Sequence, residues 1–88
     1  MAGHIIAPFS GRLVELLIDE GDDVVGGETV VAVIRQMKME LEVRASRSGR
    51  VTWVVDIDDG EDVAEGTLLA VVDVTSFPSA VFKEKGKL

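Results

Sequence analysis

The 88-residue chain has no cysteine and no tyrosine, only two prolines, one histidine and one tryptophan. Without cysteine there are neither disulfides nor thiolate metal sites, so a chain this small must be held by apolar packing alone. The single histidine, His4, has no companion near it in the sequence, which points to a structural or solvent-facing role and away from metal binding. Long apolar runs are missing too. The longest, Val30 to Ile34 and Leu68 to Val72, are far short of a membrane span, and the first residues lack the basic-then-apolar layout of a secretory signal. These absences lead us to expect a soluble, cytoplasmic protein with no membrane partner. Cations are scarce: nine Lys and Arg stand against sixteen Asp and Glu, for a formal net charge of −7. Lys83, Lys85 and Lys87 gather near the C-terminus, so the remaining surface lacks the clustered cations that a nucleic-acid partner requires. We read the acidity as a solubility device.

What is present is valine and glycine in alternation. Apolar stretches such as Leu13–Ile18, Thr29–Ile34, Val51–Ile57 and Thr67–Val72 alternate with glycine-centred turns at Gly11, Gly21, Gly26-Gly27, Gly49, Gly60 and Gly66. The branched carbon of valine favours a pleated strand, and no stretch is long enough for a convincing helix. Over Glu40 to Ala45 the pattern alternates cleanly, with Leu41, Val43 and Ala45 on one face and Glu40, Glu42 and Arg44 on the other. Met39 shares the inward parity, which makes packing and recognition equal candidates for its role.

The chain is also duplicated. Aligning residues 2–35 with 40–73 brings Ala7 onto Ala45, Ser10-Gly11-Arg12 onto Ser48-Gly49-Arg50, Asp23-Val24 onto Asp62-Val63, Gly27 onto Gly66 and Thr29 onto Thr67. The offset is 38, steps to 39 and returns, which calls for two bulges or for slightly unequal turns. Leu13 and Leu16, like Val51 and Val54, are spaced by three, and a bulge in each half would reconcile that spacing with one buried face. Half-units of this kind cannot cover their own apolar sides. The expected fold is therefore all-β, a flattened barrel or sandwich of two facing sheets with internal pseudo-two-fold symmetry. Residues 1–74 form the domain in this reading. Residues 75–88, from which the pattern has gone, read as a flexible tail or linker, dispensable for folding.

One lysine occupies the junction of the halves, Gln36-Met37-Lys38-Met39, where Asn-Gly or Asp-Gly would be the expected turn. A broken local rule in an otherwise consistent sequence marks a place kept for something other than stability. Soft methionines on either side of an exposed ammonium make a handle that a partner can grip. By the repeat symmetry Lys38 should project from the end opposite the termini.

The order Gly21-Asp22, Val24, Gly27, Met37-Lys38-Met39-Glu40, Ala45, Gly49, Gly60, Val63, Gly66 and Leu69 resembles the biotinyl (biotin/lipoyl attachment) domains of biotin-dependent carboxylases. The resemblance covers about residues 5–73. It implies a biotin carboxyl carrier that shuttles carboxybiotin between a biotin carboxylase and a carboxyltransferase and is itself no enzyme. It implies biotin bound covalently to Lys38, placed there by a biotin protein ligase, with Gln36, Met37, Met39 and Glu40 as the recognition set around it. Two features depart from the family pattern: Arg35-Gln36 precede the motif where the family usually has Glu and Ala, and the strand from Gly27 to the motif is one residue longer. The repeat leaves no room for the protruding thumb loop of many bacterial carriers, so the thumbless type is expected.

Two other readings compete. In lipoyl carriers the lysine commonly lies between acidic and small residues, as in Asp-Lys-Ala, which makes lipoate the less favoured cofactor here. An unmodified biotinyl-like module used only for protein contact is a third class. The run Asp56-Ile57-Asp58-Asp59-Gly60 imitates a calcium loop, but its glycine is one place early and Thr67 stands where the bidentate glutamate belongs. No set of nucleophile, base and orienting group can be assembled. Trp53 aligns with Glu15, which argues for partial exposure and a partner contact, with an ordinary core tryptophan an equal alternative.

Overall fold

The computed structural model describes residues 2–74; the proposed tail over 75–88 lies outside them. Eight strands follow in order: β1 (Ala2–Ile6), β2 (Gly11–Leu16), β3 (Asp23–Val24), β4 (Val30–Gln36), β5 (Met39–Arg44), β6 (Gly49–Val54), β7 (Asp62–Val63) and β8 (Leu68–Asp73). They form two antiparallel four-stranded sheets, β1-β8-β6-β3 and β5-β4-β2-β7, and no helix occurs among the described residues. Each half of the repeat gives two strands to each sheet, so the sheets interlock. This is the all-β sandwich that the duplication predicts.

The apolar side chains expected to face inward do so. Ile5, Leu13, Val24, Val31 and Ile34 meet Val43, Val51, Val63, Leu69 and Val72 in one core, and among the described residues no polar or charged side chain is buried with them. Burial of this kind contributes about 25 cal/mol per Å² of apolar surface, the main favourable term for a fold without cross-links. Bulges fall where the three-residue spacing requires them: the β2–β4 register shifts between Leu13 and Glu15, and the β6–β8 register between Val51 and Trp53. Because they occur at matching places, they leave the repeat offset unchanged.

The steps in the offset lie in the turns. Six residues link β2 to β3 (17–22) and seven link β6 to β7 (55–61); five precede β4 (25–29) and four precede β8 (64–67). The extra residue expected in the strand after Gly27 therefore sits in the turn, where Thr29 caps it with Oγ1 accepting from Val25 N–H at 2.8 Å. From Val30 onward β4 pairs with β5 as β8 pairs with β1 from Leu68 onward. With only six residues between β2 and β3, no thumb is inserted.

Paired contacts repeat in both halves. Gly21 N–H donates to the Val51 carbonyl and Gly60 N–H to the Leu13 carbonyl; Gly27 reaches Ala45, and Gly66 reaches Ala7. Ser48 Oγ accepts from Gly26 N–H, and Ser10 Oγ from Glu65 N–H. Gly11 and Gly49, expected as turn residues, instead open β2 and β6, and their missing side chains permit close approach. A Cβ on Gly11 would lie 2.5 Å from the Arg35 carbonyl oxygen, and one on Gly49 2.5 Å from that of Asp73.

Candidate functional site

Strands β4 and β5 pair up to Gln36 and Met39, leaving Met37 and Lys38 as a two-residue turn. Met37 adopts φ of +59°, in the left-handed region that costs an ordinary L-residue about 1–2 kcal/mol. The usual turn residues would carry that conformation more cheaply, so the tip accepts strain to keep a methionine.

The path of the chain puts this tip at the pole opposite the ends of the described residues. Ala2 pairs with Asp73 at the terminal end. Strand β1 runs away from it, and the crossover after it delivers Ser10 and Gly11 beside Gln36 and Arg35. Strand β5 returns from the tip, and its crossover brings Arg47 against Gly3 and Gly49 against Asp73.

The structure brings the expected site residues together. Lys38 is exposed and makes no hydrogen bond or ion pair with any described residue. Met37 is 92% exposed and Met39 60%. The packing role for Met39 does not hold: its parity is inward, but the Gln36–Met39 rung lies one beyond Arg35–Glu40 and two beyond Ile34–Leu41, where the core ends. Glu40 pairs with Arg35 across the strands at 3.9 Å, on exposed side chains where such pairs contribute little. Gln36 does more. Its Nε2 donates to the Ser10 carbonyl at 2.9 Å, tying the base of the hairpin to the first crossover.

Ser10, Gly11 and Arg12 were legible as half of a repeated triplet, but not as neighbours of the tip. Together with Arg35, Gln36, Met37 and the Asp62-Val63 strand they line an open groove beside the hairpin. Arg12 pairs there with Asp62 at 3.7 Å, the counterpart of Arg50 with Asp23 at 3.3 Å at the other pole. Among the described residues no three metal-ligating side chains converge, and the Asp56–Gly60 run forms no such cluster. His4 is exposed on β1, and Trp53 is 40% exposed, as its alignment with Glu15 argued. No helix among the described residues is long and apolar enough to cross a membrane.

An amine held clear of the surface, with no internal partner and on a short stiff hairpin, is suited to acylation. The residues present therefore fit a covalently attached group.

Comparison with known proteins agrees. A family model described as "Biotin-requiring enzyme" matches residues 4–72. The chain is 35% identical over 68 residues to the biotin-dependent acyl-coenzyme A carboxylase alpha3 subunit of Mycobacterium leprae, covering 77% of this chain and 11% of that one. It is 36% identical over 67 residues to the biotin carboxyl carrier protein of acetyl-CoA carboxylase from Solanum lycopersicum, covering 76% of this chain and 93% of that protein. Among solved structures, Kluyveromyces lactis urea carboxylase matches with a TM-score of 0.73 at 32% identity, over 83% of this chain and 6% of that one. The chain thus spans a small fraction of the large carboxylases and nearly the whole of a small carrier. Fold, repeat, hairpin and family model converge: the chain belongs to the biotinyl (biotin/lipoyl attachment) domain family of biotin-requiring enzymes.

Proposed function

We propose that this domain is a covalent biotin carrier acylated on Lys38, and that it serves a biotin carboxylase and a carboxyltransferase without catalysing either reaction itself. The observation that carries the reading is Lys38 itself, exposed and unpartnered among the described residues, in a two-residue turn between exposed methionines, at the pole away from Ala2 and Asp73. Attachment is an acyl transfer on a biotin protein ligase. The neutral ε-amine of Lys38 attacks the carbonyl of biotinyl-AMP, an amide C–N bond forms, the acyl C–O bond to AMP breaks, and the amine gives up a proton. The product has lost the lysine's positive charge and makes the domain one unit more acidic.

When bound, biotin supplies a ureido ring that takes a carboxyl group at one active site and gives it up at another. The protein's own residues supply the rest. The sandwich provides a rigid base, and the Lys38 side chain extends the reach of the tether. Keeping the reactive group on one chain raises its effective concentration at both sites and avoids releasing it. Met37 and Met39 offer adaptable apolar contact to ligase and partner surfaces, Glu40 lies at the edge of that patch, and Gln36 holds the hairpin to the crossover beneath it.

The acceptor substrate belongs to the partner enzyme. Relatives of this chain include acyl-CoA, acetyl-CoA and 2-oxoglutarate carboxylases and urea amidolyase, which spread over several acceptors. Intact mass after co-expression with a biotin protein ligase tests the proposal: one biotin per chain, mapped to Lys38, is expected. An unmodified chain, or one that takes lipoate from a lipoyl ligase and no biotin, would overturn it.

A further inference from the structure

The two sheets match in register, so each is a control for the other, and they differ in charge at the rung nearest Lys38. Across the β5-β4-β2-β7 sheet that rung reads Glu40, Arg35, Arg12, Asp62. The equivalent rung of the β1-β8-β6-β3 sheet reads Ala2, Asp73, Arg50, Asp23. Arg50 thus stands between two carboxylates, whereas Arg12 faces a second arginine. Like charges directly opposite each other destabilise a sheet, so the frame does not call for this pair.

The flanking carboxylates leave it unsaturated. Glu40 approaches Arg35 at 3.9 Å and Asp62 approaches Arg12 at 3.7 Å, and neither guanidinium makes a hydrogen bond to a described residue. Arg44 and Arg50, by contrast, are hydrogen-bonded to their neighbours. Arg12 and Arg35 also border the open groove of about 580 Å³ beside the hairpin. Their rung lies two strand positions below the turn, about 7 Å, within reach of a lysine side chain lengthened by an acyl chain. Acylation removes the charge of Lys38, and the two arginines become the cations of this pole among the described residues.

We propose, on the reading of Lys38 as the biotinylated residue, that Arg12 and Arg35 form a docking site for a carboxylate carried on the Lys38 arm. The guanidinium groups hold the carboxyl group that the attached cofactor takes up and have no hold on the uncharged ring. The arm is then free when empty and folded into the groove when loaded. An open groove binds a free anion weakly, but the tether supplies an effective concentration on the order of millimolar, so a site of millimolar affinity is about half filled. Such a dock protects the group in transit and still yields it to a partner enzyme.

The chain has no cysteine, so Lys38→Cys gives a unique thiol on which to build an arm without any ligase. Full-length Lys38→Cys is alkylated with a haloacetamide ending in a linear carboxylic acid, or with the matching amide. The acid arm should move the NMR signals of the Arg12 and Arg35 Nε–H groups and leave that of Arg50 in place; the amide arm should move none. Biotinylated full chain, charged by a biotin carboxylase with bicarbonate and ATP and then separated, gives the second readout. Loss of CO2 breaks the N–C bond, leaves its electron pair on the ureido nitrogen, which takes up a proton, and draws charge off the carboxylate, so docking slows it. Arg12→Gln/Arg35→Gln should lose CO2 about twice as fast as the parent, the ratio for a half-docked arm, and the difference should fade in salt. Unmoved arginine signals, an equal response at Arg50, or equal rates of CO2 loss would overturn the docking site. A shifted set on a chain that takes no biotin would overturn the carrier reading, and with it the docked cofactor.

Discussion

The two poles of the domain are built from the same parts, yet only one of them is closed. At the terminal pole Gly49 lies under Asp73 and Arg50 pairs with Asp23; at the other, Gly11 lies under Arg35 and Arg12 pairs with Asp62. The strand ends that open β1 and close β8, Ala2 and Asp73, correspond to Glu40 and Arg35, the last regular rung before the Lys38 tip. Whatever both poles share is what holds the sandwich. What only the closed pole has, the positive φ of Met37, the two exposed methionines and the tie from Gln36 to Ser10, is not required by the frame. The duplication thus separates stability from function within one small chain.

The largest expected effect lies on the functional side. Lys38→Arg keeps the charge but removes the primary amine, so biotin incorporation should fall to nothing while the melting curve is unchanged; mass spectrometry and calorimetry read the two outcomes. Biotin on the arginine variant would place the attachment elsewhere.

The frame is tested by Gly11→Ala and Gly49→Ala. Each forces a Cβ to 2.5 Å from a backbone carbonyl oxygen. Overpacking of this kind costs about 1–3 kcal/mol and occasionally more. Gly49, whose φ of +157° adds backbone strain that Gly11 lacks, should show the larger loss in denaturant titrations, and a larger loss at Gly11 would break the comparison of the poles.

Replacing Met37 and Met39 together by leucine should cost well under ~1.5 kcal/mol, because volume is nearly kept and both side chains are exposed. The loss should appear in ligase turnover or carboxyl transfer. A collapse in thermal stability would return Met39 to the core.

Gln36→Ala removes one exposed hydrogen bond, worth about 1 kcal/mol or less. It should slow modification more than it lowers the melting midpoint, measurable as reduced kcat/KM with the ligase. The smallest effects belong to the ion pairs. Double-mutant cycles on Arg12 with Asp62 and on Arg50 with Asp23 should each give coupling of about 0–1 kcal/mol, fading in salt.

How much of this was legible depends on whether a feature is local. Strict alternation over Glu40 to Ala45 gave the faces of β5 correctly, because side chains in a strand alternate whatever surrounds them. The same parity failed for Met39. Alternation says which way a side chain points, and burial needs something on the other side; two rungs beyond Ile34–Leu41 nothing stands opposite. Gly11 and Gly49 were visible as repeated glycines but misread as turn residues, since their close approach is made by β4 and β8, more than twenty residues away in each case. The tie between Gln36 and Ser10 spans 26 residues and left no mark beyond the two residues themselves.

By itself the amino-acid sequence determined the strand content, the duplication, the two facing sheets that a duplicated apolar pattern requires, the absence of a thumb and the central position of Lys38. These follow from periodicity and spacing, which the chain carries at short range. The tertiary structure decided which residues share the Lys38 pole, where the core stops, in which turns the offset steps, and that one sheet presents Trp53 where its twin presents Glu15. Those properties depend on which backbones meet across the sandwich, and no local pattern encodes the distance between them.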